Sequence, residues 1–244
     1  MPDLPTGSVT FLFTDIEGST RLWELYPAAM PAAIDRHDTI LRQAIAAGDG
    51  VVFRTAGDAF CAAFGQACAA LNAALQAQLA LHGEPWGAIG LAHERPMRVR
   101  MSLHTSTVEL RDGEYFGPPL NRVARLLVAA HGGQTLLCSA TYDRVHDHLP
   151  PGVTLRDMDE HRLRDLSRPE RIFQLVVEGL PHDFPPLKTI TTQQAHGAVA
   201  PRQAKLPGMP GVDYDAVWRK EKERERQRKK RKGKSKGEPP EGLF

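Results

Sequence analysis

The sequence predicts an α+β fold, a ferredoxin-like α/β sandwich, on three observations. Short apolar runs with period-two alternation mark strands, and Ala- and Leu-rich stretches with helically spaced stripes mark helices. The two kinds alternate from the N-terminus in the order β-α-β-β-α-β, which is that of a split βαβ sandwich.

The first strand is Val9-Thr10-Phe11-Leu12-Phe13-Thr14-Asp15, with Val9, Phe11, Phe13 and Asp15 on one face. Ile16 to Thr20 turns the chain; Gly18 suits unusual dihedrals, and Ser19 or Thr20 is expected to cap the next helix. A helix follows Pro27, with Met30, Ile34, Leu41 and Ile45 at near-helical spacing, and Gly48-Asp49-Gly50 ends it. Residues 51–55 and 60–64 form a hairpin around Gly57-Asp58. A helix is expected over 66–82, a loop over 83–94, and a strand over 98–104 with Val99, Met101 and Leu103 on one face. Residues 107–110 read as a returning partner strand. Helix 119–130, strand 135–138, helix 140–148 and a strand pair over 153–164 and 171–177 complete the pattern.

These elements place one folded domain over residues 1–185. After Gly179 the texture changes to Pro, Gly, Gln and Thr without periodicity, read as a linker over 186–218. Residues 219–244 read as a basic, disordered tail. The 244 residues carry 31 Lys+Arg against 29 Asp+Glu, but residues 219–236 alone hold 12 basic and 3 acidic ones. The body is therefore acidic and the tail basic. A solvated tail is the plainer reading, with weak nucleic-acid or anionic-membrane contact as the alternative.

A hydrophobic content of 41% excludes a wholly disordered chain, and no run approaches the ~18 consecutive apolar residues of a membrane span. The first residues lack the pattern of a signal peptide, and three scattered cysteines make neither a disulfide framework nor a zinc site. A cytoplasmic protein is expected.

Two carboxylates stand at turns beside strands. Singly, Asp15 reads as a helix cap and Asp58 as a turn residue. If their strands are neighbours, both meet at one sheet edge, where mutual repulsion calls for a cation such as Mg²⁺ or Mn²⁺ held jointly with phosphates. The Gly18-Ser19 turn offers backbone N–H groups to a phosphate. Asn121 and Arg125 lie about 40° apart beside the stripe of Leu120, Val123, Leu127 and Ala130. Spacing alone favours a solvated flank over an oxyanion clamp there.

Taken in order, Phe13-Thr14-Asp15-Ile16-Glu17-Gly18-Ser19-Thr20, Arg54-Thr55-Ala56-Gly57-Asp58, Glu114-Tyr115-Phe116-Gly117 and Asn121-Arg122-Val123-Ala124-Arg125 resemble the motifs of class III nucleotide cyclases. The resemblance runs over residues 6–180 and is greatest to the N-terminal cyclase domain of bacterial multidomain regulators. It implies that Asp15 and Asp58, with the Ile16 carbonyl, hold two Mg²⁺ or Mn²⁺ ions per site. It further implies that Asn121 orients the ribose and Arg125 stabilises charge on the phosphate. Arg164 falls, after a one-residue adjustment, where the family usually has a Lys for the terminal phosphates.

At the base-reading positions Arg54 replaces a usual Lys and Glu114 a usual Asp, keeping charge but changing reach. ATP is the expected substrate ahead of GTP, cyclised by attack of the 3′-hydroxyl on the α-phosphorus with loss of pyrophosphate. Because one motif set is present and the family splits each site between two chains, a homodimer with shared sites is implied. A degenerate cyclase domain that binds nucleotide or regulates through dimerisation is the alternative.

Overall fold

The computed structural model describes residues 3–92 and 97–189. Of the expected linker and tail, all but residues 186–189 lie outside them.

The elements run β1 (Gly7–Ile16), α1 (Ser19–Leu25), α2 (Met30–Ala47), β2 (Val51–Ala56), β3 (Ala59–Phe64), α3 (Ala67–Gly83), α4 (Trp86–Ile89), β4 (Val99–Val108), α5 (Pro118–Ala129), β5 (Thr135–Cys138), α6 (Ser139–Val145), β6 (Val153–His161) and β7 (Glu170–Val177). The seven strands form one sheet in the order β2-β3-β1-β4-β5-β7-β6. Its first four strands are arranged β4-β1-β3-β2, the order of the ferredoxin-like sandwich inferred from the sequence.

Alternation decides what each face carries. Leu12 and Ile16 of β1 and Val99, Met101 and Leu103 of β4 point into the main core with Leu41, Ile45, Leu71 and Leu75 of α2 and α3. Val9, Phe11 and Phe13 point the other way and pack with Phe53, Tyr115, Leu120 and Val123. Within that second cluster the Tyr115 ring meets Phe11 and Phe53 edge-on, at 4.9 and 5.0 Å between centroids. Helix α5 thus lies on the sheet face to which Asp15 belongs.

Three local expectations are corrected. Residues 107–108 do not return as a partner strand; they continue β4, which pairs with β1 over all ten residues from Gly7↔Val108 to Ile16↔Val99. Neither Ser19 nor Thr20 caps α1. The cap position is Gly18 itself, in the left-handed region at φ 70°, and no side chain bonds the first turn. The expected loop over 83–94 contains the short helix α4, anchored by Trp86, whose indole N–H donates to the Leu81 carbonyl at 2.9 Å.

Behind α5 a polar layer is buried. His104 Nδ1 lies 2.8 Å from Cys138 Sγ, and Ser102 Oγ donates to the Val123 carbonyl at 2.9 Å. Burial, reinforced by the nearby Arg122 guanidinium, pushes the His104 imidazole down to about 4. The folded state therefore resists a proton that the unfolded chain accepts near pH ~6.5. Stability is unaffected above that value, falls as pH drops toward about 4, and falls no further on this account below it. We predict that the parent loses roughly 3 kcal/mol between about pH 7 and about pH 4 from this group. Denaturant unfolding across that range should show a shallower acid limb for His104→Gln.

Candidate active site

Strand register assembles the acidic end of the site. Thr14 of β1 stands opposite Phe60 of β3, so two residues on Ile16 faces Asp58. The Ile16 N–H donates to Asp58 Oδ2 at 3.2 Å. Asp58 sits in the two-residue turn between β2 and β3, where Gly57 at φ 63° supplies the left-handed conformation that such a turn needs. Asp15, one residue before Ile16, is buried within the sheet. The two carboxylates predicted to converge are thus brought to one edge.

Asp15 also has a partner that sequence reasoning missed. Arg100 stands directly opposite it in the β1–β4 ladder. Arg100 donates from Nε at 2.8 Å and from Nη2 at 2.6 Å, both to Asp15 Oδ2. Asp15 Oδ1 is buried and unpartnered. Burial raises the Asp15 carboxyl to about 6, opposed by Arg100 and reinforced by the neighbouring Asp58 charge. A cation would complete the lone oxygen and relieve that repulsion, so the residues present fit a divalent ion. Among the described residues no group of three or more His, Cys, Asp or Glu side chains forms a metal cluster. An ion held here must fill its shell from backbone carbonyls, water or substrate oxygens, the habit of Mg²⁺.

The remaining predicted residues occupy two further regions. Gly18 and Ser19 open α1 just beyond Ile16. Arg54 lies in β2 opposite Cys61, and Glu114 precedes Tyr115 and exchanges backbone hydrogen bonds with Arg111. The contact between Phe53 and Tyr115 brings these two segments together on the α5 side of the sheet. On α5, which follows the cap residue Gly117 and opens with Pro118 and Pro119, Asn121 is exposed. Arg125 pairs through Nη2 with Asp165 Oδ2 at 2.6 Å, and Arg122 pairs with Glu170 at 2.7 Å. Arg164, next to Asp165, is exposed.

No described helix is long and apolar enough to cross a membrane. Residues 1–175 match the adenylate and guanylate cyclase catalytic domain. An uncharacterised protein of Mycobacterium tuberculosis is 44% identical over 187 residues, covering 76% of this chain and 61% of its own length. The chain therefore spans about three-fifths of that relative. An adenylate cyclase of Neurospora crassa is 32% identical over 66% of this chain and 8% of its own. An adenylate cyclase structure from Trypanosoma brucei, in its monomeric state, superposes with a TM-score of 0.69 at 28% identity, covering 77% of this chain and 97% of that one. Motifs, sheet order and relatives agree: the chain belongs to the adenylate and guanylate cyclase catalytic domain family.

Proposed function

We propose that the chain is a nucleotide cyclase that converts ATP, and less readily GTP, to the 3′,5′-cyclic monophosphate and pyrophosphate for intracellular signalling. The observation that carries this reading is the convergence of Asp15 and Asp58 at one edge, through the Ile16 N–H to Asp58 bond. Relatives named adenylate cyclase support the choice of ATP. In a longer chain, the domain would serve as the N-terminal cyclase unit of a multidomain regulator.

In the proposed reaction the ribose 3′-oxygen bonds to the α-phosphorus, the bond from that phosphorus to the bridging oxygen breaks, and its electron pair leaves with pyrophosphate. The hydroxyl proton is lost to solvent. Asp15, Asp58 and the Ile16 carbonyl would hold Mg²⁺ or Mn²⁺, two per site, which when bound supply acidification of the hydroxyl and neutralisation of the phosphates. The Gly18-Ser19 turn receives phosphate oxygens, and Arg164 reaches the terminal ones. Asn121 orients the ribose, and Arg125 meets charge on the α-phosphoryl group. Little covalent work falls to the protein, so positioning and electrostatics carry the rate. Asn121 and Arg125 complete the site of a second copy, giving a homodimer with two shared sites. Arg54 donates to adenine N1 and Glu114 accepts from the exocyclic amine.

Three outcomes follow. Asp58→Ala should lower cyclase turnover by at least about a hundredfold while circular dichroism shows the fold intact; near-parental turnover removes the metal assignment. Asp15→Ala and Arg125→Ala should each be nearly inactive, yet regain activity when mixed, because a heterodimer keeps one complete site. Subunit exchange demonstrated without recovery contradicts shared sites. Arg54→Lys combined with Glu114→Asp should raise the ratio of cyclic AMP to cyclic GMP formed from equal ATP and GTP. An unchanged ratio, or a parent that strongly prefers GTP, contradicts the base assignment.

A further inference from the structure

We infer that Arg100 is the stand-in cation of the metal aspartate, and that a divalent ion occupies Asp15 only by displacing it. This rests on the reading of Asp15 as a metal ligand. The geometry is that of a place-holder. A guanidinium fork matched to a carboxylate gives one N–H to each oxygen. Here both Arg100 donors fall on Oδ2, and Oδ1 is left buried and without a partner.

The charge balance points the same way. The Asp15 and Asp58 carboxylates bring two negative charges to this edge, and Glu17 acts more weakly on Asp15. Arg100 alone leaves the aspartate pair at −1. A divalent ion on the free oxygen beside an undisplaced guanidinium would give +1, with two cations crowded onto one carboxylate. A divalent ion that replaces Arg100 gives zero. The side chains are largely out of water, with Arg100 11% and Asp15 2% exposed, so the competition is poorly screened.

The backbone decides which partner yields. Asp15 and Arg100 are pinned opposite each other in the ten-residue β1–β4 ladder. The Asp15 side chain is short, whereas Arg100 has a long stem that can rotate away without disturbing the sheet. Arg100 is in this sense a positioning residue: it sets how readily the carboxylate accepts a metal.

The test is Mn²⁺ binding to the full chain without nucleotide, followed by electron paramagnetic resonance of the free ion at mildly alkaline pH. Arg100→Gln should bind Mn²⁺ about tenfold more tightly than the parent, the scale of a lost charge-assisted hydrogen bond. Arg100→Lys, which keeps the charge, should stay close to the parent. Asp15→Asn should lose the site. Unchanged or weaker binding by Arg100→Gln, with Asp15→Asn still abolishing it, overturns this inference and leaves the metal reading intact. Parental binding by Asp15→Asn overturns both.

The unaltered protein supplies a second check. The Arg100 Nε–H signal, identified in ¹⁵N spectra by its loss in Arg100→Lys, should shift as Mg²⁺ saturates the site. A signal that stays in place at saturation contradicts displacement.

Discussion

The register of β1 is the constraint on which the rest depends. One strand pairs with β3 on one side and β4 on the other, and each pairing fixes a charged neighbour at the same end. Ile16 is set against Asp58, and Asp15 against Arg100. A slip of one residue would turn Asp15 into the main core and expose Leu12 and Ile16 to the other face. Burial of Val9 and Phe11 on one side and Leu12 and Ile16 on the other therefore specifies the site as well as the sheet.

A second regularity follows from the charges. Each half of the proposed shared site has an ion-pair partner within its own chain. Asp15 is tied to Arg100 in the sheet, and Arg125 to Asp165 near the turn between β6 and β7. The two ties differ in kind. The first is nearly dry and pinned by a strand ladder, whereas Asp165 is 63% exposed and its pair with Arg125 is open to exchange with another anion. Under the proposed reading, assembly and substrate need only break the weak tie, while the strong one is opened by the metal.

Much of this was legible in the sequence. Alternation from Val9 to Asp15 gave the strand and its faces, Gly57-Asp58 gave the turn, and the order of elements gave the sheet core. What escaped was set by pairing across long sequence distances. Arg100 reads from its own neighbours as an ordinary outward position beside Val99 and Met101. Only the β1–β4 register, 85 residues apart, makes it the partner of Asp15. Asp165 was equally silent, being one polar residue in a polar turn. Polar Ser106 and Thr107 mask the continuity of β4, and pairing with β1 overrides that local composition. Hydroxyl side chains are common caps, but at the start of α1 Gly18 makes the turn by its backbone alone.

Under the proposed reading this chain cyclises a nucleoside triphosphate. Its most direct test is to incubate the purified full chain with ATP, and separately GTP, in the presence of Mn²⁺, and to resolve the products by chromatography. A 3′,5′-cyclic monophosphate and pyrophosphate are expected in equal amounts, with more product from ATP. Linear mono- or diphosphates as the products, or unchanged triphosphate with a folded dimer that binds it, would contradict the claim. The latter result would leave a nucleotide-binding dimer in its place.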